Sequence, residues 1–381
     1  MHRLIAFEVG PIRPPSEARS LLIRITRNCQ WNRCSFCPVY KNREFSVRSV
    51  DEIISDIDLL GKHISNIRAA FSTPLEMTSD KAWLLMQRVE PMELAAFDYA
   101  LKWFTDGMQS VFLQDADALV IGAKNLAIIL NHLRNRFPWV ERITTYSRSS
   151  TIIKVGEDSL KELKDAGLNR VHVGLESGSD EVLKIVKKGA SKAMHIKAGI
   201  MIKSANLELS EYFMPGLGGK RLSEVHAKES ADALNQINPD IIRLRPLALT
   251  DRAPLYSEFE SGSFEKCNDI DIAQELIMFI EALEGINSMV VSDHILNLFA
   301  DLEGKLPDGK KHMLSILRTF LDMDSDKQNL YRIGRRLGLL NSLKDMDDAR
   351  KMDKVMQIAV GEGISSETID TIIDRLMERF I

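Results

Sequence analysis

Cysteine is scarce in this chain: 381 residues contain four. That is too few for a disulfide framework, which small secreted domains use to replace a core. No uninterrupted apolar run approaches the ~20 residues that a membrane-spanning helix needs. The nearest candidate, Ala118 to Leu130, is broken by Lys124 and Asn125. A surplus of basic charge is also missing: 50 Lys and Arg face 54 Asp and Glu, for a net charge of −4 and a pI near 6.1. Nucleic-acid-binding domains carry a basic footprint, so no clear nucleic-acid site is expected. The N-terminus lacks the basic, apolar and small-residue succession of a secretory signal. Repeats, coiled-coil heptads and low-complexity tracts are absent too. These absences lead to the expectation of a cytoplasmic protein without a membrane span.

The composition is otherwise that of a globular chain, 45% hydrophobic and 27% charged, long enough for a large core. Three of the four cysteines stand within nine positions, Cys29-x4-Cys34-x2-Cys37, directly after the apolar run Leu21-Leu22-Ile23-Arg24-Ile25. Clustered thiols in a reducing compartment point to metal. Three thiolates suit a [4Fe–4S] cube with one iron left open, because such clusters are held by cysteines at short, fixed spacings. The alternative is a structural zinc site, which needs a fourth ligand. Cys267 and His294 are the distant candidates for it.

Strand and helix patterns alternate from residue 20 to about 300. Strand candidates are 20–26, 109–113, 142–146, 170–175, 207–214, 240–244 and 289–292. Between them lie helical periodicities. The first opens on the capping box Ser49-Val50-Asp51-Glu52, followed by Ile53, Ile54, Ile57 and Leu60. Alternation of this kind predicts βαβ units and a parallel sheet. The fold class expected is α/β, a partial (β/α)6 TIM-like barrel. A helical insertion is expected at about 61–108, around 81–89 and 92–104. The barrel domain is placed at 1–302 and a helical C-terminal domain at 303–381. In such barrels the active site lies at the C-terminal ends of the strands.

The segment from Cys29 to Cys37, with Phe36 before the last cysteine, resembles the cluster loop of the radical S-adenosylmethionine (SAM) superfamily, whose usual spacing has a first gap one residue shorter. Gly174-Leu175-Glu176-Ser177-Gly178-Ser179 resembles the fourth-strand motif of the branch that contains the methylthiotransferases, the Elp3-type enzymes and the oxygen-independent coproporphyrinogen oxidases. The resemblance implies that Cys29, Cys34 and Cys37 hold a [4Fe–4S] cluster. It also implies that SAM meets Phe36, Glu176, Ser177, Lys188, Met214, Gly216 and Leu247. Lys188 stands where that branch has a basic residue facing the SAM carboxylate, but a lysine cannot clamp it bidentately. Glu211-Tyr212-Phe213-Met214-Pro215-Gly216-Leu217-Gly218-Gly219 resembles the fifth-strand turn, and Arg243-Leu244-Arg245-Pro246-Leu247, then Ala253-Pro254-Leu255-Tyr256, the sixth-strand segment. Implied partners are a one-electron donor such as ferredoxin or flavodoxin and, given the acidic pI, a small-molecule substrate. A substrate of RNA or protein and a non-enzymatic iron–sulfur protein are the alternatives. No catalytic residue is identified. Tyr146, Arg148 and Arg245 are the candidates, among strand-end groups that also include Asp115, Asp117, His172, Arg243 and His294.

Overall fold

A computed structural model describes residues 7–361, 365 and 367–377. In chain order its regular elements are β1 (Leu21–Arg24), β2 (Thr26–Arg27), β3 (Ser46–Val47), α1 (Val50–Ala70), α2 (Ser79–Met86), α3 (Leu94–Thr105), β4 (Ser110–Gln114), α4 (Ala123–Arg136), β5 (Arg142–Ser147), α5 (Ser149–Val155), α6 (Glu157–Asp165) and β6 (Arg170–Glu176). There follow α7 (Asp180–Ile185), α8 (Lys192–Ser204), β7 (Glu208–Phe213), α9 (Gly219–Ile237), β8 (Ile241–Leu244), α10 (Leu255–Glu260), α11 (Asp269–Ala282), β9 (Met289–Val291), β10 (Gly304–Lys305), α12 (Lys310–Leu321), α13 (Ser325–Arg336), α14 (Ala349–Gly361) and α15 (Ile369–Met377). Strands β1, β4, β5, β6, β7 and β8 are each followed by helix, the (β/α)6 order that the sequence predicts. Among the described residues no helix is long and apolar enough to cross a membrane.

The chain divides into two compact units. The first comprises Met1–Gln30, Asn42–Val173 and Ile200–Leu209. In it β1, β4, β5 and the start of β6 lie parallel in that order, with Leu21 beside Val111, Val111 beside Ile143 and Thr145 beside Val171. The capping box forms: Ser49 Oγ accepts from Glu52 N at 3.2 Å and Glu52 Oε2 accepts from Ser49 N at 2.8 Å. α1 runs on to Ala70, so the expected insertion begins inside it. α3 buries Phe97, Trp103 and Phe104, whereas α2 buries no residue and leaves Trp83 and Leu84 exposed.

At the other ends of these strands sits Glu17, fully buried. It accepts from Ser20 Oγ at 2.5 Å and lies 3.6 Å from Arg142 and 3.5 Å from His172. Burial pushes its carboxyl up, but the hydrogen bonds from His172 and Ser20 and the charge of Arg142 hold it below the usual value.

The second unit comprises Trp31–Lys41, Gly174–Gly199 and Ser210–Ile381. There β7, β8 and β9 are parallel and β10 is antiparallel to β9. Phe213 of β7 stacks on Phe279 of α11, ring centres 4.0 Å apart. The C-terminal helices are tied to α11 through Asp269, which takes Arg332 at 3.0 Å and Arg336 at 2.8 Å, all three buried. Burial raises the Asp269 carboxyl, and the charges of Arg336 and Arg332 outweigh that and lower it. α15 is joined to the same place through Asp370 to Arg332 and Asp374 to Lys266.

Candidate active site

In the first unit the loop leaves β1 through a charged girdle. Arg24 pairs with Glu8 and Asp115, each at 3.0 Å. Arg27 pairs with Glu8 and Glu52, and Arg48 with Asp56 at 2.7 Å. The arginines are therefore engaged with carboxylates. Asn28, at φ 68°, has its N–H on Asp115 Oδ2 at 3.2 Å and its side-chain amide on the Glu44 carbonyl. Thr26 Oγ1 is buried without a hydrogen-bond partner. Beyond β4, Asp117 accepts from Ser147 Oγ, Thr151 Oγ1 and Gln30 Nε2. Burial pushes its carboxyl up to about 6.

Tyr146 is half-buried on β5, edge-on to Phe112 at 5.3 Å and tilted against His172 at 5.6 Å. His172 is buried, as its alternation within a strand suggests. Arg148 stands at the start of α5.

The second unit gathers most of the predicted cofactor residues. Ser35 locks the other half of the loop: its N–H donates to Val186 O and its carbonyl accepts from Leu255 N, both at 2.9 Å. Cys34 and Phe36 are buried in one apolar cluster with Val186, Met214, Leu217 and Leu247. Lys188 is buried. Its Nζ lies 2.9 Å from Glu176 Oε1 and 6.0 Å from the centre of the Phe36 ring. Glu176 sits at φ 62°, a conformation uncommon for any residue but glycine and asparagine. Its carbonyl takes the N–H of Met214 at 3.0 Å, and Pro215 O takes that of Leu247 at 2.9 Å.

Two supports were not foreseen. His226 Nε2 meets the Met214 carbonyl at 2.9 Å and its Nδ1 meets Ser177 Oγ at 2.8 Å. Burial lowers this imidazole to about 4, so it is neutral. Nε2–H therefore donates to the carbonyl, and Ser177 donates to Nδ1. Glu275 accepts from the N–H of Gly216 at 2.7 Å and from Ser223 Oγ at 2.5 Å. The ends of β6 and β7 are thus braced from α9 and α11.

Glu211 lies on β7. It is wholly buried, and its carboxylate oxygens have no close hydrogen-bond partner, with only the Leu175 backbone easing their burial. Burial pushes its carboxyl well above the ordinary value; Lys188 nearby pulls the other way and Glu176 adds to the rise. An acid inside an apolar strand was the available signal. Arg245 is exposed. His294 is lowered to about 4 by burial and by the Arg245 charge.

None of the four cysteines is in a disulfide. Among the described residues no three of His, Cys, Asp and Glu gather around a point that would suit a single ion. Three cysteine thiolates at short spacing are the donor set of an iron–sulfur cube, whereas a structural zinc site takes four ligands. Cys267 lines a cavity of about 260 Å³ with Leu298, Ile373 and Met377, and burial pushes its thiol up. The donor set of Cys29, Cys34 and Cys37 fits a [4Fe–4S] cluster. The orphaned Glu211 oxygens fit a ligand that offers hydroxyl or ammonium donors.

A family model for the radical SAM superfamily matches residues 23–228. The tRNA uridine(34) acetyltransferase of Methanocaldococcus infernus is 26% identical over 129 residues, 33% of this chain and 24% of that protein. Its counterpart in Methanocaldococcus jannaschii is 24% identical over 130 residues, 34% of this chain and again 24% of the relative. The match thus spans about a quarter of the length of these curated relatives. Among solved structures, coproporphyrinogen III oxidase from Escherichia coli gives a TM-score of 0.45 at 14% identity, over 69% of this chain and 52% of that one.

Proposed function

Since the chain belongs to the radical SAM superfamily, we propose that it is an enzyme in which Cys29, Cys34 and Cys37 hold three irons of a [4Fe–4S] cluster. When bound, cluster and SAM supply a 5′-deoxyadenosyl radical that abstracts hydrogen from a substrate. The chain's own residues bind, orient and exclude water. Glu176 and Lys188 form a charge pair suited to the SAM amino and carboxylate groups. Glu211 offers acceptors to hydroxyls, and the backbones of Gly216 and Leu247 line the approach. Met214, Phe36 and Leu247 supply apolar surface from the cluster of buried side chains. Tyr146, Arg148 and Arg245 are the groups proposed to face a small-molecule substrate, and a ferredoxin or flavodoxin supplies the electron.

The observation that carries this reading is the trio of thiols on the loop after β1, undisturbed by disulfides. It is tested by anaerobic reconstitution with iron and sulfide, then SAM and dithionite. The expected result is a four-iron, four-sulfide cluster and release of 5′-deoxyadenosine, abolished by Cys29→Ala, Cys34→Ala or Cys37→Ala. Zinc alone, or a cluster inert toward SAM, overturns it. A second reading, with RNA as the substrate, is favoured by the stretch shared with the two tRNA uridine(34) acetyltransferases. A substrate-dependent rise in deoxyadenosine with bulk tRNA selects it.

A further inference from the structure

Two buried carboxylates follow β4, separated only by Ala116. Each reaches back to the loop that carries the first cysteine, one on either side of it. Asp115 Oδ2 accepts the backbone N–H of Asn28 at 3.2 Å, and is itself fixed by Arg24 at 3.0 Å. Asp117 Oδ2 accepts from Gln30 Nε2 at 2.8 Å and from Thr151 Oγ1 at 2.5 Å, while its Oδ1 takes Ser147 Oγ at 2.8 Å. Gln30 Nε2 also donates to Thr151 Oγ1 at 3.0 Å.

The sequence gives these bonds no reason to exist. Gln30 is an exposed residue whose amide would be satisfied by water. Asn28 takes a left-handed turn that a flexible loop need not adopt. Burying two acids has a desolvation cost. What the bonds accomplish is to fasten both neighbours of Cys29 to the segment after β4 and the first turn of α5. A ligand held in this way presents its sulfur before the metal arrives, and groups around a ligand commonly change metal retention about 10- to 100-fold.

We propose that Asp115 and Asp117 are positioning residues that clamp the Asn28–Gln30 turn and hold Cys29 preorganised for the cluster. The inference rests on Cys29 being a cluster ligand. It goes beyond that by assigning the two acids a task that neither SAM nor substrate contact explains. Asp115 acts through the Asn28 N–H and Asp117 through the Gln30 side chain, so removing either end of the Gln30–Asp117 link has the same effect.

The test uses the full-length chain with Asp117→Asn, Gln30→Ala, their double variant and Asp115→Asn. Three measurements are made: iron release from the reconstituted protein to bathophenanthroline under argon, the electron paramagnetic resonance g-values of the reduced cluster, and hydrogen–deuterium exchange of the loop peptide in metal-free protein. The expected outcome is iron release faster by about 10-fold in each single variant. The double variant stays within about twofold of Asp117→Asn, as a shared link requires. The g-values shift, and exchange quickens in the loop while α11 and α13 are unchanged. Release and g-values equal to wild type in folded variants overturn the clamp. So does a double variant whose effects multiply. Exchange that quickens throughout the molecule marks a general loss of structure and overturns it too. If the wild-type chain takes up no cluster, the functional reading falls. The clamp is then judged on loop exchange alone: quickened in the variants, it stands as a brace of the turn; unchanged, it falls.

Discussion

Glu211 holds a carboxyl group where an ionised one is unwelcome. Its unfolded-chain value lies near 4.5 and the folded value well above. Between the two the folded state keeps a proton that the unfolded state has lost, so this group makes stability fall as pH rises through that window, by up to about 1.4 kcal/mol per pH unit. Glu211→Gln is expected to flatten that part of the profile, measured as the difference in urea midpoint from wild type between pH 5 and pH 9. Gln reproduces the donor and acceptor of the protonated acid, so the same variant is expected to keep SAM affinity while Glu211→Ala weakens it; an unchanged affinity in Glu211→Ala removes Glu211 from the site. Residues of this kind are only half legible in a sequence. That Glu211 is acidic and lies among strand formers is visible. That both oxygens lack close donors is a product of folding. His226 is harder still, since nothing local links it to Ser177, 49 positions earlier.

At the scale of elements, the turn after β6 is fitted closely to α9. A Cβ at Gly178 would stand 2.2 Å from the Glu229 carbonyl oxygen, and the Gly178 N–H donates to Ser230 Oγ at 2.8 Å. The helix backbone cannot yield cheaply, so Gly178→Ala is expected to cost about 1–3 kcal/mol in urea unfolding. It is also expected to weaken SAM binding, since Glu176 and Ser177 move with the turn. Elements with a strong local signal were readable beforehand. The capping box of α1 and the strands β4 to β9 fall within a residue or two of their expected bounds. The short helices were not. α5 and α10 have seven and six residues and no side-chain cap, too little for a helical period to emerge. α2 begins at Ser79, capped by Thr78, and ends earlier than its apolar residues suggest. Its exposed Trp83 and Leu84 show that apolar character alone did not report burial there.

For the molecule as a whole, periodicity marked the C-terminal residues as helical but could not say what fastens them. Asp269 lies 63 positions from Arg332 and 67 from Arg336, and only the fold brings them together. Asp269→Asn leaves the buried Arg336 without its anion and Arg332 with Asp370 alone, and is expected to lower stability by about 3–5 kcal/mol, read from thermal and urea unfolding. Because the Asp269 carboxyl is lowered by its partners, its contribution is present above about pH 4 and disappears as pH falls through the folded value.

The two sets of charges near α11 answer differently to dissolved ions. Asp269, Arg332 and Arg336 have side chains no more than 6% exposed, whereas Asp370 and Asp374, which tether α15, are 50% and 41% exposed. Raising ionic strength to about 1 M shrinks the screening length to about 3 Å. The tethers of the last helix then weaken while the inner triad keeps its strength. Concentrated salt is therefore a reagent that loosens the ionic hold on α15 and leaves that on α13 in place.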